Sequence, residues 1–328
     1  MRAMIVAAGL GTRLLPLTRL LPKPALPVRG VPLVAFQLAL LARSGVTEVA
    51  INTHHLPEAL EHAARAWCPP GVALRFSHER ELLGTGGGIR RMADFLRESD
   101  PCLLLGGDMV LDADLGALLA WHRAGGHDAS LLLRDDPRAD RFGTIGVDSE
   151  GRVRRIASRF DLGSERRAGV YAWANVVASA AFEVLPDREA FGHLDDWWAP
   201  ALARGAADVR GFVAAASEVL WEPIGTPAEY LAANLAPLAL SYLDVGAATR
   251  RAGAEVRLGA DGRPDVIIGA GARLGRGVSL RRAVVFAGED VPEGLRAEGG
   301  VFAGGAFVPC EAAPGAAPGE IAHPGEAR

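Results

Sequence analysis

Large apolar side chains recur at every sixth position in the C-terminal segment VIIGAGARLGRGVSLRRAVVFAG and again just after it. An α-helix repeats every 3.6 residues and a strand every two, so neither explains a period of six. A period of six is typical of a parallel β-helix, whose coils are built from three short strands. The large apolar series is Ile268, Leu274, Leu280 and Phe286, followed by Leu295, Val301 and Phe307.

Smaller residues keep the same period at Ala272, Val278 and Val284. A Gly/Ala-rich linker is the alternative, but a linker has no reason to hold large apolar residues in phase. We therefore expect a short left-handed parallel β-helix over 241–310. The remaining segment, 311–328, is rich in Pro, Gly, Ala and charged residues without periodicity and predicts a disordered tail.

Strand-like and helix-like segments alternate before the repeat. AMIVAA at 3–8 and CLLLGGD at 102–108 have the composition of buried strands, and 31–45 has helical periodicity. This alternation predicts an α/β domain over 1–240 in which helices cover a parallel sheet. Further along the chain we expect a β-ribbon over 128–174 and a final helix over 227–240.

Composition excludes several classes of function. The 328 residues carry a net charge of −4, which gives no bulk attraction to nucleic acid or to an anionic membrane. The longest apolar run, LVAFQLALLA, is far shorter than the roughly 20 residues that span a bilayer. The three cysteines form no CxxC pair. We expect a cytoplasmic protein with no nucleic-acid or membrane partner.

The first strand ends in GLGTR, and Lys23 follows in LPKPALPV. Backbone N–H groups around Gly9, Gly11 and Thr12 form a concave turn in which no Cβ blocks an incoming oxygen. Arg13 and Lys23 add donors suited to phosphate. The loop predicts a phosphate cradle. Its spacing matches neither a P-loop, which needs GK[ST], nor a dinucleotide fingerprint.

Two further segments favour a nucleotide site. Asp108 ends the strand LLLGGD, at the sheet edge where such folds bind ligands, and a carboxylate beside phosphates commonly serves Mg²⁺. An N-cap to the next turn is the alternative role for Asp108. In SHERELLGTGGGIRRM, Gly84 permits close backbone approach and Glu79 can accept hydrogen bonds from a base such as guanine. A helix-entry loop is the alternative there.

Together AAGLGTRLLPLTRLLPKPALPV, LGTGGGI, LLLGGD, RAGVY and WEPIGTPAEYLAAN resemble the sugar-1-phosphate nucleotidyltransferases over most of 1–238. The added repeat is similar to that of the mannose-1-phosphate guanylyltransferase branch. NTHH and TGGGI also look like N-acetylmuramate-1-phosphate uridylyltransferases and heptose-1-phosphate guanylyltransferases. The resemblance implies a Rossmann-like nucleotidyltransferase domain with a mixed central sheet.

The resemblance also implies a reaction and its residues. An NMP would pass from an NTP to a sugar 1-phosphate, giving an NDP-sugar and pyrophosphate, with Mg²⁺ bound by Asp108. Arg13, Lys23 and Asp108 would be catalytic, and Gly143, Gly169 and Glu222 would contact the sugar. A homo-oligomer through the β-helix is a further expectation. The implied nucleotide-binding residues are Ala8, Gly9, Gly11, Thr12, Arg13, Glu79, Gly84 and Thr85.

The sugar half of the implied site departs from the family pattern. The WxDxGT motif supplies a second metal-binding aspartate, and here Pro223 stands in its place. The EKP segment that holds the sugar phosphate is absent from RRIASRFDLGSERRAGVY, where Arg159, Arg166 and Arg167 are the alternative cations. The sequence therefore leaves a second hypothesis open, a nucleotide-sugar-binding regulatory homologue that has lost turnover.

Overall fold

The computed structural model describes residues 1–310, and the tail expected at 311–328 lies outside the described residues. Strands and helices alternate along the first 125 residues. In chain order they are β1 (Arg2–Val6), β2 (Pro27–Val28), β3 (Val31–Pro32), α1 (Leu33–Arg43), β4 (Glu48–Thr53), α2 (Pro57–Ala66), β5 (Ala73–His78), α3 (Gly84–Arg91), α4 (Ala93–Arg97), β6 (Cys102–Gly106), β7 (Met109–Asp112) and α5 (Leu115–Gly125).

The middle of the chain is richer in strands. Its elements are β8 (Ala129–Arg134), α6 (Ala139–Phe142), β9 (Ile145–Val147), β10 (Val153–Ile156), β11 (Phe160–Asp161), β12 (Arg167–Val177), α7 (Ala199–Ala203), β13 (Val209–Ala214), β14 (Leu220–Pro223) and α8 (Pro227–Leu235). A π-helical segment, His193–Trp198, leads directly into α7. The final helix expected over 227–240 ends early because the residue before Pro237 is disfavoured in helical conformation.

The last part of the described chain is almost entirely β-structure. Its elements are α9 (Val245–Arg251), β15 (Glu255–Leu258), β16 (Pro264–Ile268), β17 (Arg273–Leu274), β18 (Ser279–Val285), β19 (Asp290–Val291), β20 (Arg296–Ala303) and β21 (Ala306–Pro309). Within residues 1–310, none of the helices combines the length and the apolar character that crossing a bilayer requires.

The central sheet has the strand order β11-β10-β9-β12-β6-β1-β4-β5, with β8 joined to β12 and β13 joined to β8. β1 pairs in parallel with both β4 and β6, and β12 runs antiparallel to β6. The prediction of an α/β fold with a mixed central sheet is therefore confirmed. The antiparallel strand β12 comes from the region predicted as β-ribbon, and it extends the parallel strands of the first half of the chain.

Successive side chains of β1 point to opposite faces of the sheet, and each face has its own apolar cluster. Ala3 and Ile5 point into one apolar cluster and Met4 into the other, as the two-residue period of a strand requires. All three side chains are fully buried. The sheet therefore has apolar side chains on both faces, which is characteristic of α/β folds.

The repeat region forms parallel strand pairs. β16 pairs with β18, β18 with β20 and β17 with β19, and each strand is offset from its partner by 17 residues, for example Val266 opposite Ala283. Three hexads would give an offset of 18, so each turn is one residue shorter than the sequence period predicts. Val284 in β18 and Phe286 just after it share a core with Leu14, Leu17 and Tyr230.

This shared core predicts a large effect of truncating Phe286, which is 6% exposed and packs edge-on against Tyr230. We expect Phe286→Ala to lower the free energy of unfolding by about 3–5 kcal/mol, through lost burial and the cavity that remains. Urea unfolding measures the change. Leu258→Ala is the control because Leu258 is 63% exposed. Equal losses in the two variants would contradict a core role for Phe286.

Candidate active site

The carboxyl ends of β1 and β6 meet at one edge of the sheet, and a cleft opens there. Ligands of open α/β sheets bind at this edge. Gly107 N–H donates to the Val6 carbonyl at 2.9 Å, which fixes the two strand ends side by side. The residues that line the cleft are Val6, Ala7, Gly9, Gly11, Thr12, Arg13, Lys23, Pro24, Thr85, Gly106, Gly107, Asp108, Trp173 and Gly225.

The turn after β1 is held in shape by Gly11 and Thr18. Gly11 has φ +64° and caps a short 3₁₀ helix, Thr12–Leu14. The Thr18 hydroxyl donates to the Gly11 carbonyl at 3.0 Å, and a Cβ on Gly11 would lie 2.8 Å from Thr18 Cγ2. A side chain at position 11 would therefore meet both left-handed strain and a steric clash.

Lys23 and Asp108 form an ion pair in the cleft. Lys23 Nζ lies 2.9 Å from Asp108 Oδ2, and the lysine side chain is 13% exposed while the aspartate is 45% exposed. Lys23 comes from the 3₁₀ helix Lys23–Ala25, and Asp108 follows β6. The fold thus brings a cation and a carboxylate that are 85 positions apart in the sequence together in the cleft.

Arg13 also lines the cleft, beside Gly225. A Cβ on Gly225 would lie 3.1 Å from Arg13 Nη2, so the guanidinium passes directly over Gly225 in the WEPIGT segment. The Gly225 N–H donates to Glu229 Oε2 at 2.6 Å, which fixes this backbone. Seven of the predicted site residues therefore share one cleft: Gly9, Gly11, Thr12, Arg13, Lys23, Thr85 and Asp108.

Glu79 does not reach this cleft. Its Oε1 accepts from Asn52 Nδ2 at 2.7 Å, its Oε2 accepts from the Leu83 N–H at 3.0 Å, and the residue is 1% exposed. Asn52 Oδ1 in turn accepts from the Ala7 N–H at 2.7 Å. Both carboxylate oxygens of Glu79 thus have partners within the protein, and this geometry lends no support to the predicted contact with a base. Glu79 instead ties the loop after β5 to the ends of β4 and β1.

Ala8 and Gly84 also lie outside the cleft lining. Ala8 is buried, at 6% exposure. Gly84 begins α3, and a Cβ at this position would lie 2.6 Å from the Phe191 carbonyl oxygen. The glycine is thus required for packing of α3 against the segment before the π-helical turn, which is a structural reason for its presence beside Thr85.

The predicted sugar-binding residues are not brought to the cleft wall. Gly143 ends α6, and Gly169 is paired with Ile145 inside the sheet. Glu222 lies 3.4 Å from Arg138, which also binds Asp136. Gly143 caps a helix, Gly169 is engaged in strand pairing and Glu222 in an ion-pair network, so the structure gives no support to the predicted contacts.

The alternative cations are also engaged elsewhere. Arg159 pairs with Asp195 at 2.7 Å, and Arg167 Nη2 donates to the Val213 carbonyl at 3.5 Å. Arg166 lies outside the cleft lining as well. The cations that the sequence offered for a sugar phosphate therefore do not line this cleft.

Pro223 lies beside the metal-ligand candidate. It is opposite Met109 in the antiparallel pair of β14 and β7, and the next residue, Ile224, donates its N–H to the Asp108 carbonyl at 2.9 Å. The pyrrolidine ring offers no ligand atom. Asp108 is accordingly the single carboxylate among the residues that line the described cleft.

The sequence analysis missed Trp173 and the hydrogen-bonded chain behind it. The Thr85 hydroxyl accepts from the backbone N–H of His193 at 3.0 Å, and it donates to Nδ1 of the His193 ring at 2.8 Å. His193 Nε2–H then donates to Tyr171 Oη at 3.1 Å, and Tyr171 donates to Asn175 at 2.8 Å. In sequence, YAWAN has the appearance of an ordinary core strand, so no local pattern indicated this chain.

Burial determines the protonation states of His193 and Tyr171 in this hydrogen-bonded network. It lowers the pKa of His193 to about 3, so the imidazole is neutral near pH 7. Burial also raises the pKa of Tyr171 well above its ordinary value. The network therefore stays uncharged at neutral pH, and Thr85 presents its remaining polar surface to the cleft from a fixed position.

Comparison with known proteins agrees with this architecture. The family model described as Nucleotidyl transferase matches residues 2–239. The chain is 32% identical over 311 residues to the mannose-1-phosphate guanylyltransferase of Mycobacterium tuberculosis (strain ATCC 25618 / H37Rv), covering 91% of this chain and 81% of that protein. It is 30% identical over 187 residues to the UTP–glucose-1-phosphate uridylyltransferase of Synechocystis sp., covering 52% of this chain and 48% of that protein.

A solved structure shares the fold. HddC from Yersinia pseudotuberculosis, complexed with GMP-PN, superimposes with a TM-score of 0.59 at 21% identity, covering 71% of this chain and 97% of that one. The sheet, the cleft and the family match define the class of protein. The chain belongs to the nucleotidyl transferase family.

The low pKa of His193 predicts a pH dependence of stability. As pH falls below about 6.5, His193 becomes protonated in the unfolded state but stays neutral in the folded state. The free energy of unfolding therefore decreases with falling pH, until His193 also becomes protonated in the folded state near pH 3. Between pH 7 and pH 5, wild type should lose about 2 kcal/mol more unfolding free energy than His193→Gln. Urea titrations at each pH test this. Parallel curves for the two proteins would contradict the prediction, and His62→Gln on the exposed face of α2 should follow wild type.

Proposed function

We propose that this protein transfers a nucleoside monophosphate from an NTP to a sugar 1-phosphate, giving an NDP-sugar and pyrophosphate. The observation that carries the proposal is the convergence of Arg13, Lys23 and Asp108 on one cleft at the sheet edge. The family match and the relatives named as mannose-1-phosphate guanylyltransferase and glucose-1-phosphate uridylyltransferase support it.

The chain's residues would act by position and charge. The turn Gly9–Arg13 would hold the β- and γ-phosphates, and Lys23 would neutralise charge at the α-phosphate. A phosphate oxygen of the sugar 1-phosphate attacks the α-phosphorus, forming a P–O bond while the bond to the bridging oxygen of the leaving pyrophosphate breaks. Because the substrate supplies the nucleophile, no covalent protein intermediate is needed.

We also propose Mg²⁺ as the cofactor, held by Asp108. Mg²⁺ is commonly bound by one or two protein carboxylates together with substrate phosphates, so the single half-exposed carboxylate of Asp108 fits such a site. Bound there, the ion would neutralise charge that develops on the transferring phosphate. With Pro223 at the second position, the remaining ligands would be nucleotide oxygens and water.

Four finer proposals accompany this function. The base is guanine or uracil, the two named by the relatives. Residues 241–310 form a short left-handed β-helix joined to a nucleotidyltransferase domain over 1–240, supported by the parallel 17-residue register. A homo-oligomer through this repeat and a cytoplasmic location remain predictions.

A substrate panel tests the proposal. The protein is incubated with Mg²⁺, each of ATP, CTP, GTP, UTP and dTTP, and a set of sugar 1-phosphates, and pyrophosphate release is measured. Release that requires both substrates is the expected result. Nucleotide binding without release from any pair would contradict the enzyme and favour the regulatory homologue.

Removal of Asp108 tests the site itself. We expect Asp108→Ala to lower turnover about 100-fold or more, because a charge that stabilises the transition state is lost while the half-exposed position tolerates the change. Pyrophosphate release reports turnover and circular dichroism reports folding. Asp94→Ala, which removes a fully exposed carboxylate on α4, is the matched control. Equal turnover in both variants would remove Asp108 from the mechanism.

A further inference from the structure

Trp173 has an unusual backbone conformation for its residue type. Its φ is +54°, in the left-handed region that a bulky residue rarely occupies. It lies within β12 where the register against β8 shifts between Tyr171 and Asn175. Irregularities of this kind frequently re-aim a side chain beside an active site, and strain of this kind persists only where the surrounding structure imposes it.

The shift directs the indole to the cleft. Trp173 is half-buried and lines the cleft together with Asp108 and Thr85. A Cβ on Gly106 would lie 2.9 Å from Trp173 Cγ. The glycine at the end of β6 therefore leaves the space that the ring needs to lie across the strand end.

Other aromatic rings hold the indole in place. The His193 ring lies 4.2 Å from it, tilted by 31°, and the Tyr171 ring lies 5.5 Å away, tilted by 32°. His193 is itself fixed by Thr85 and Tyr171 through the hydrogen-bonded chain described above. His193 and Tyr171 thus form a rigid, uncharged layer behind Trp173, and the indole lines the cleft.

The strand order places Trp173 on the acceptor side of the proposed reaction. Across the sheet, the phosphate turn follows β1, Asp108 follows the adjacent β6, and Trp173 lies on β12 beyond β6. In-line transfer places the leaving and attacking groups on opposite sides of the α-phosphorus. With pyrophosphate on the turn after β1, the attacking sugar phosphate comes from the β12 side.

We infer that Trp173 binds the pyranose ring of the sugar 1-phosphate, with the indole packed against the C–H face of the sugar. This inference rests on the proposed function. A rigid aromatic surface provides apolar contact area while hydroxyl groups at the ring edge stay available for hydrogen bonds. Trp173 is then a specificity-determining residue in a half of the site from which the family's usual sugar-phosphate motif is missing.

The test separates the two substrates by their KM values. In Trp173→Gly, which removes the ring and suits the positive φ, the KM for the sugar 1-phosphate should rise roughly tenfold. The KM for the NTP should stay within about twofold of wild type. Trp173→Phe keeps a smaller aromatic surface, and its KM for the sugar 1-phosphate should lie between those of Trp173→Gly and wild type. Should Trp173→Gly fail to fold by circular dichroism, Trp173→Phe alone decides.

Each remaining outcome has a defined meaning. Trp67→Phe, at a partly buried tryptophan outside the cleft that contacts Arg251, is the control and should match wild type. An active wild type whose Trp173 variants keep the same KM for the sugar 1-phosphate overturns the inference alone. A rise in the KM for the NTP instead assigns Trp173 to the nucleotide and also overturns it. A wild type that releases no pyrophosphate with any pair contradicts the proposed function first.

Discussion

The parallel pairing of β1 with both β4 and β6 is the constraint on which the site depends. It brings three strand ends to one edge, and the buried hydrogen bonds from the Ala7 N–H to Asn52 and from Asn52 to Glu79 hold those ends together. Buried polar groups are costly unless they are paired, so this arrangement favours one relative position of the strand ends. The turn Gly9–Arg13 and Asp108 then lie side by side, and Lys23 pairs with Asp108.

The antiparallel strand β12 gives the cleft its second wall. A purely parallel sheet would place another connecting loop beside β6, whereas β12 presents a side chain from within a strand. The register shift turns Trp173 toward the cleft, and the uncharged chain from Thr85 to Asn175 supports it from behind. The two walls therefore differ in chemistry. One consists of backbone turns with the cations Arg13 and Lys23, and the other is an aromatic surface.

Sequence patterns located residues of the cleft where those residues form a short, contiguous stretch. The turn Gly9–Arg13 and the strand end at Asp108 were recognised because strand, glycines and polar residues follow one another directly. The internal partners of two acidic residues were not foreseen: the Glu79 carboxylate accepts from Asn52 and Leu83, and Glu222 pairs with Arg138. Whether an acidic side chain faces a ligand or a buried donor depends on partners distant in sequence, and no local pattern contains them.

By itself, the sequence determined the α/β class, the parallel repeat after residue 240 and the glycine-containing turn after β1, because periodicity and backbone freedom are local properties of the chain. Tertiary structure alone decided that each turn of the repeat spans 17 residues and that the repeat shares a core with Leu14 and Tyr230. It alone decided that Trp173 lines the cleft. These features depend on register and packing between segments far apart in the chain, which are set only when the sheet is assembled.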